Sequence, residues 1–304
     1  MINRFEYEGI TWVDIENPTP EEIGEIGQEF SLGQLLTHEL LAPTLKPRVD
    51  IYPDSVYTLL HFPARRHTHG NKTVHEVDFV IGKQFVITVH YDTVEALLDF
   101  SRSFEAAMLL KRKAGKLHSG HIFFEITERL YRGVEYELDA IEDSITTIEN
   151  AIFSQRERAM VVAISNVSRE LIDQKRTLSM HTNVLSSLEQ VGISLFGEEF
   201  GTYLRGISAF HFRAHQRALS LMDTINELRS TNDSLLTTRQ NEITKNLTIM
   251  AFVTFPFSLI AAIFGMNTNN TPVVSEPNGF WIIVSAMILL MSVFFVYFKA
   301  KRWF

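Results

Sequence analysis

The sequence predicts a membrane protein with an N-terminal α/β body, a long helical stalk and two C-terminal transmembrane helices. Three observations predict it. Short β-rich runs fill roughly the first third of the chain, and long amphipathic helical patterns follow. Charge is then split abruptly: from Leu247 to Phe298 the only charged residue is Glu276. A mean hydropathy of +0.03 over 304 residues averages across that split, which marks a water-soluble part and a membrane-embedded tail. The expected segments are 1–120 for the α/β domain, 121–245 for the stalk and 246–304 for the two-span part, with an outer loop at 265–279.

In the body, Thr11 to Ile15, Val56 to His61, Val74 to Ile81 and Gln84 to Tyr91 read as strands. Val77 to Ile81 and Gln84 to Val89, separated by Gly82-Lys83, read as a hairpin with a two-residue turn. A helix is expected from Thr19 to Phe30. Thr19 is its N-cap, Pro20 takes the first helical position, and Glu22 stands three residues on, as in a capping box. The N-terminus, Met1 to Ile10, lacks the basic and apolar regions of a cleaved signal peptide.

From about Thr93 the pattern turns helical. Phe123 to Phe153 and Arg156 to Leu188 are long, charged and amphipathic. A third helix begins near Glu199 to Leu204 and is expected to run unbroken into the first span. About 60 residues at 1.5 Å each would reach roughly 90 Å, with Gly206 a local weak point. Such a rod can couple events in the body to the membrane mechanically.

The tail has two apolar, uncharged runs, Leu247 to Phe264 and Phe280 to Phe298, each near the length needed to cross a bilayer. Arg239 and Lys245 precede the first, and Lys299, Lys301 and Arg302 follow the second; the link from Gly265 to Gly279 has no Lys or Arg. The positive-inside rule puts both ends and the large body in the cytoplasm and the link outside. Trp281, Tyr297 and Trp303 stand where interfacial aromatics belong. On the first span Asn241, Thr244, Thr248, Ala251, Phe255, Ser258 and Ala262 recur at spacings of three and four, close to one helix stripe. That stripe fits a pore face, and it equally fits hydroxyls bonding their own backbone at a helix contact. Two spans cannot enclose an ion path alone, so a pore requires a symmetric oligomer.

Composition excludes several functions. The chain has no cysteine, so disulfides and thiolate metal sites are out. A net charge of −8 argues against nucleic acid as partner and suits a protein that gathers cations, although an acidic soluble surface gives the same number. No Walker loop, dinucleotide turn, His-Glu-x-x-His or Gly-x-Ser-x-Gly occurs, so the protein is not expected to be an enzyme or to use ATP or a cofactor. His67 and His69 have a zinc-like spacing, with His61, His75 and His90 nearby; the plainer expectation is solvated loop and strand histidines. Glu137, Asp139, Glu142 and Asp143 share one helix, where they either concentrate cations or form a solvated face paired with basic residues.

The first span ends Phe264-Gly265-Met266-Asn267, preceded by Asn241-Glu242-Ile243-Thr244-Lys245-Asn246-Leu247-Thr248 and followed by a polar loop, a second span and Lys299-Ala300-Lys301-Arg302-Trp303-Phe304. In this setting the Gly-Met-Asn tripeptide resembles the CorA family of magnesium and divalent metal ion transporters. Trp12 to Thr19 and Phe79 to His90 resemble that family's opening strand and hairpin. The resemblance implies a funnel-shaped homopentamer in a cell (inner) membrane. Gly265, Met266 and Asn267 would form the selectivity filter, where Asn267 contacts the cation through its water shell. Asn241, Thr244, Leu247, Ala251, Phe255, Ser258 and Ala262 would line the pore. The cargo would be Mg2+, with Co2+ and Ni2+ of similar hydrated size. Zinc transporters of the same superfamily tend to carry Ile in place of Met266. A non-conducting helical scaffold or sensor is the alternative from another class. Departures from the family are Phe264 for Tyr, Phe255 for Met, and an outer loop without Met-Pro-Glu whose one acid, Glu276, is left to attract cations. Gly206 stands where the family's stalk has an Asp, which puts a regulatory cation between subunits in question.

Overall fold

The computed structural model describes residues 1–44, 46–63, 74–109, 118–266, 273 and 276–301, with side chains in the helix ending at Leu109 described through 106. His67, His69, Asn267, the loop 268–272 and Arg302, Trp303 and Phe304 lie outside the described residues. The chain divides into two compact units, Met1–Asn232 and Asp233–Phe304.

The first unit is built on a six-stranded mixed sheet of order β1-β2-β6-β5-β4-β3. Its strands are β1 (Ile2–Tyr7), β2 (Ile10–Glu16), β3 (Arg48–Ile51), β4 (Ser55–Pro63), β5 (Val74–Gly82) and β6 (Phe85–His90). β2 and β6 run parallel; every other pair is antiparallel. The four strands expected from the sequence are present, and β1 and β3 are added at the edges. The β5–β6 turn is Lys83-Gln84, one residue later than expected, because Ile81 pairs with Val86 and Gly82 is still in the strand. Gly82 is needed there: a Cβ would stand 2.2 Å from the Phe85 ring, which folds over it.

Strand alternation sorts the sheet into two faces. Val13, Ile15, Tyr57, Leu59, Val80, Ile87 and Val89 pack beneath α1 (Pro20–Glu29) and α2 (Gln34–Glu39) through Ile23, Ile26 and Leu36. The capping box of α1 forms as the sequence requires: Glu22 N donates to Thr19 Oγ1 at 3.2 Å, and Thr19 N donates to the Glu22 carboxylate at 3.1 Å. The opposite face carries Trp12, Phe62, Phe79 and Thr88. It is covered by α3 (Glu95–Leu109), α4 (Ser119–Phe153) and α5 (Glu157–Phe196), with Phe79 edge-on to Phe123 at 5.0 Å and Phe62 edge-on to Tyr131 at 5.4 Å.

The next helix, α6 (Glu198–Phe264), has 67 residues, about 100 Å at the standard rise. Its first part is tied to α4 and α5. Arg217 bonds Asp139 at 2.6 Å and also Glu142, and Arg229 donates to Ser168 at 2.7 Å. Gly206 sits against α4, where a Cβ would meet Phe124 Cε2 at 2.8 Å. Gly206→Asp is therefore expected to lower the apparent unfolding temperature, at a cost of about 1–3 kcal/mol for overpacking. Recovery on adding Mg2+ would instead mark an acid-dependent cation site.

The second unit contains the rest of α6 and α7 (Gly279–Ala300), both long and apolar enough to cross a membrane.

Candidate functional site: the first apolar helix and its outer end

The sequence-predicted pore residues all lie on the C-terminal part of α6. In the single chain Asn241, Thr244, Leu247, Phe255, Ser258 and Ala262 are exposed and Ala251 is half-buried. Phe255 is 73% exposed, the most open large side chain of the stripe. The apolar side chains left uncovered in this stripe, Leu247 and Phe255 foremost, need lipid or other copies of the chain around them. Thr248 and Thr254 donate back to Thr244 O and Met250 O, each at 2.8 Å, so their hydroxyls are satisfied within the helix. Pro256 lies inside α6, a feature the sequence reading did not use; its missing N–H leaves the Phe252 carbonyl without the usual i+4 donor.

Gly265 ends the helix. Its N–H donates to Ala261 O at 2.9 Å, and a Cβ at this position would stand 2.9 Å from that same oxygen. A side chain here would push the last carbonyls outward, which is a local reason for glycine at the first position of the tripeptide. Met266 follows, 60% exposed, with its N–H turned to Ile263 O at 3.4 Å. Asn267 is outside the described residues. Glu276 is exposed at the start of the turn into α7, its N–H donating to Val273 O at 3.2 Å. On α7 Trp281 and Tyr297 are exposed at opposite ends, as interfacial aromatics would be.

Among the described residues no cluster of His, Asp and Glu is arranged to hold a metal ion. His61, His75 and His90 are buried, contrary to the expectation of solvated side chains. Each has a neighbouring acid or carbonyl that makes burial tolerable. His61 Nε2 lies 3.0 Å from both Thr44 O and Glu76 Oε2. His75 Nδ1 is 4.0 Å from Asp92, and His90 Nδ1 is 2.6 Å from Asp92 O with Asp14 at 3.4 Å from its other nitrogen. Burial disfavours a charged His90, but the Asp14 carboxylate outweighs it and raises the pKa. On the acidic face of α4, Asp139 and Glu142 are held by Arg217, as a solvated face paired with basic residues would have them. A cavity of about 590 Å³ between α3, α4 and α6 is lined by both signs of charge. Its polar groups largely serve one another: Arg132 pairs with Glu128 at 2.7 Å, and Arg129 donates to Asp99 O and Ser103 Oγ.

Known proteins supply the context. Residues 7–302 match the family described as CorA-like Mg2+ transporter protein. The cobalt/magnesium transport protein CorA of Thermotoga maritima is 22% identical over 301 residues, covering 96% of this chain and 83% of that protein. The complete structure of the CorA magnesium transporter from Methanocaldococcus jannaschii superposes with a TM-score of 0.78 at 18% identity, covering 99% of this chain and 93% of that one. The ZntB cytoplasmic domain from Vibrio parahaemolyticus superposes with a TM-score of 0.61 at 13% identity, covering 75% of this chain and 88% of that one. With a family match over nearly its full length and two apolar helices in the places the family requires, the chain belongs to the CorA-like Mg2+ transporters, a family of membrane proteins.

Proposed function

We propose that this chain carries divalent cations passively across a cell membrane, Mg2+ foremost and Co2+ and Ni2+ with it, through a pore at the axis of a homopentamer. The first span of each copy lines the path with Asn241, Thr244, Leu247, Ala251, Phe255, Ser258 and Ala262. Gly265, Met266 and Asn267 form the outer mouth, and Glu276 supplies negative charge beside it. Both ends of the chain are cytoplasmic.

The supporting observation is the uncovered stripe on α6, which mixes amide, hydroxyl and small side chains into an otherwise apolar span and ends at the helix-terminating Gly265. Polar groups inside a membrane are expensive unless they face water or one another. A ring of neutral Asn amides suits the ion. Mg2+ sheds water reluctantly and prefers oxygen, so hydrogen bonds to its water shell hold it without trapping it. Phe255 makes an apolar constriction farther in.

The test is cation influx into proteoliposomes that hold a magnesium-sensitive dye, for the natural protein and Asn267→Ala. Mg2+ influx that falls sharply in the variant is the expected result. Zinc entering while Mg2+ does not would assign the chain to the zinc transporters of the same superfamily. No flux of either would leave a non-conducting scaffold.

A further inference from the structure

Three histidines meet where α6 is seated against α5, and nothing in the transport reading uses them. His181 on α5 is fully buried, and its ring centre lies 5.9 Å from that of His211 on α6. His211 in turn stacks on His215 one turn along, at 5.7 Å and 11° between planes. The hydrogen bonds fix the tautomers. His211 Nε2 faces Leu178 O at 2.8 Å, and a carbonyl only accepts, so Nε2 carries the proton. His181 Nε2 likewise donates to His61 O at 2.7 Å, leaving Nδ1 to accept from the Tyr131 hydroxyl at 2.8 Å. The Ser179 hydroxyl is spent on Lys175 O at 2.7 Å, so His215 Nε2, at 3.2 Å, donates to the Ser179 oxygen. In the neutral form each ring therefore carries its proton on Nε2, and that proton is in use.

The surroundings make a second proton costly. From α5 the facing groups are His181 and Lys175; from α4, the Tyr131 hydroxyl, with its ring 6.1 Å from His211; from β4, His61. The α4 carboxylates that reach α6 here, Asp139 and Glu142, are both taken up by Arg217. Charging His211 or His215 would thus set cation against cation and imidazole across a packed helix contact.

We propose that the His211–His215 pair is a proton-operated latch: with the rings neutral it holds α6 against α5, and acid releases that contact. Burial lowers the pKa of His211 and of His215, and that of His181 to about 3. The sign follows. These groups favour the seated form in the neutral state, so the contact is complete above the ordinary histidine range. It weakens as pH falls through that range toward their lowered values, while His181 stays neutral. The inference does not depend on which ion passes or on the oligomer.

The chain has no cysteine, so a spin-label pair can be placed cleanly. Arg176→Cys on α5 and Gln216→Cys on α6 are both exposed. Pulsed electron-spin distance measurements on the full-length protein, from about pH 7.5 to about pH 5, span the ordinary histidine range. The expected result is a distribution that broadens and lengthens in acid and stays at its neutral-pH form when His211→Gln and His215→Gln are added, since a glutamine amide still donates but cannot titrate. An unchanged distribution in acid overturns the proposal, and so does the same acid shift in the glutamine variant. If the double variant does not reproduce the neutral-pH distance, His215→Gln alone, at the half-buried edge of the pair, is compared instead, with a reduced acid shift expected and an undiminished one counting against the latch.

Discussion

Trp12→Ala is expected to cost the first unit about 3–5 kcal/mol, the usual range for emptying a large aromatic site, and to lower the apparent unfolding temperature of the full chain in detergent by about 10 °C. Trp12 is completely buried and is the hub of an aromatic group: it stacks on Phe5 at 4.7 Å and touches Phe100 at 4.8 Å and Phe104 at 5.9 Å. These partners come from β1 and α3, so the indole joins the edge of the sheet to the helix that covers it. Its Nε1–H also donates to Thr88 Oγ1 at 3.0 Å, and Thr88 in turn donates to Asp14 at 2.6 Å. Removing the ring opens a cavity and leaves the Thr88 oxygen without its donor. Trp12→Phe keeps most of the volume and is expected to cost clearly less. Equal unfolding temperatures for Trp12→Ala and the natural chain would refute this account of the core.

Asp78→Asn is expected to stabilise the protein at neutral and alkaline pH. Asp78 is completely buried on β5, with Glu76 two residues away on the same strand face. Burial is the main cause that raises its pKa far above the ordinary aspartate value, and the Glu76 charge adds to it. Tyr91 donates to Asp78 Oδ2 at 3.0 Å, while Oδ1 has no hydrogen-bond partner among the described residues. The folded state therefore keeps a proton that the unfolded chain gives up. Such a group contributes stability in full only below the ordinary aspartate pKa, and that contribution is lost as pH rises toward the folded-state value, by roughly a kcal/mol per pH unit. Asparagine carries no charge at any pH and does not titrate. Unfolding temperatures measured across pH should fall for the natural chain as pH rises above the ordinary aspartate range and be flatter for Asp78→Asn. Parallel curves would show that Asp78 is ionised in the folded state.

Much of this fold was legible because it is written in local chemistry. Thr19, Pro20 and Glu22 specify a helix start within four residues, and the capping box forms with both of its hydrogen bonds. The long helices declare themselves by amphipathic period, and β2, β4, β5 and β6 by runs of β-branched and aromatic residues. The edges were not legible. β1 buries one residue of six, Phe5, and β3 buries none of its four, so neither has the apolar signal of a central strand. Burial of charged groups was also hidden. His61, His90, Glu76 and Asp78 read as polar strand positions, and only the pairing of β4 with β5, of β2 with β6 and of β5 with β6 brings each to its partner. In the sequence Gly206 is a weak point in a rod; only the fold brings it against the Phe124 ring, beside the Tyr203–His121 bond between the same two helices. In the tail the Gly-Met-Asn tripeptide was legible as a pattern, whereas the reason for Gly265, its closeness to Ala261 O, is visible only in the folded backbone.

The long-range contacts that close the first unit have a consequence for the order of biosynthesis. The Trp12–Thr88 bond joins residues 76 apart, His181 reaches back 120 residues to His61, and Arg229 reaches back 61 to Ser168. Each of these partners precedes Leu247, where the charge-free stretch begins. A growing chain thus contains everything its sheet and covering helices require before the first apolar segment has been translated, and domains fold as units from the N-terminus during synthesis. The insertion machinery can therefore receive two greasy segments trailing from a body whose own oily surfaces are already put away, so that an uncovered sheet core and apolar helices need never be present on the same nascent chain.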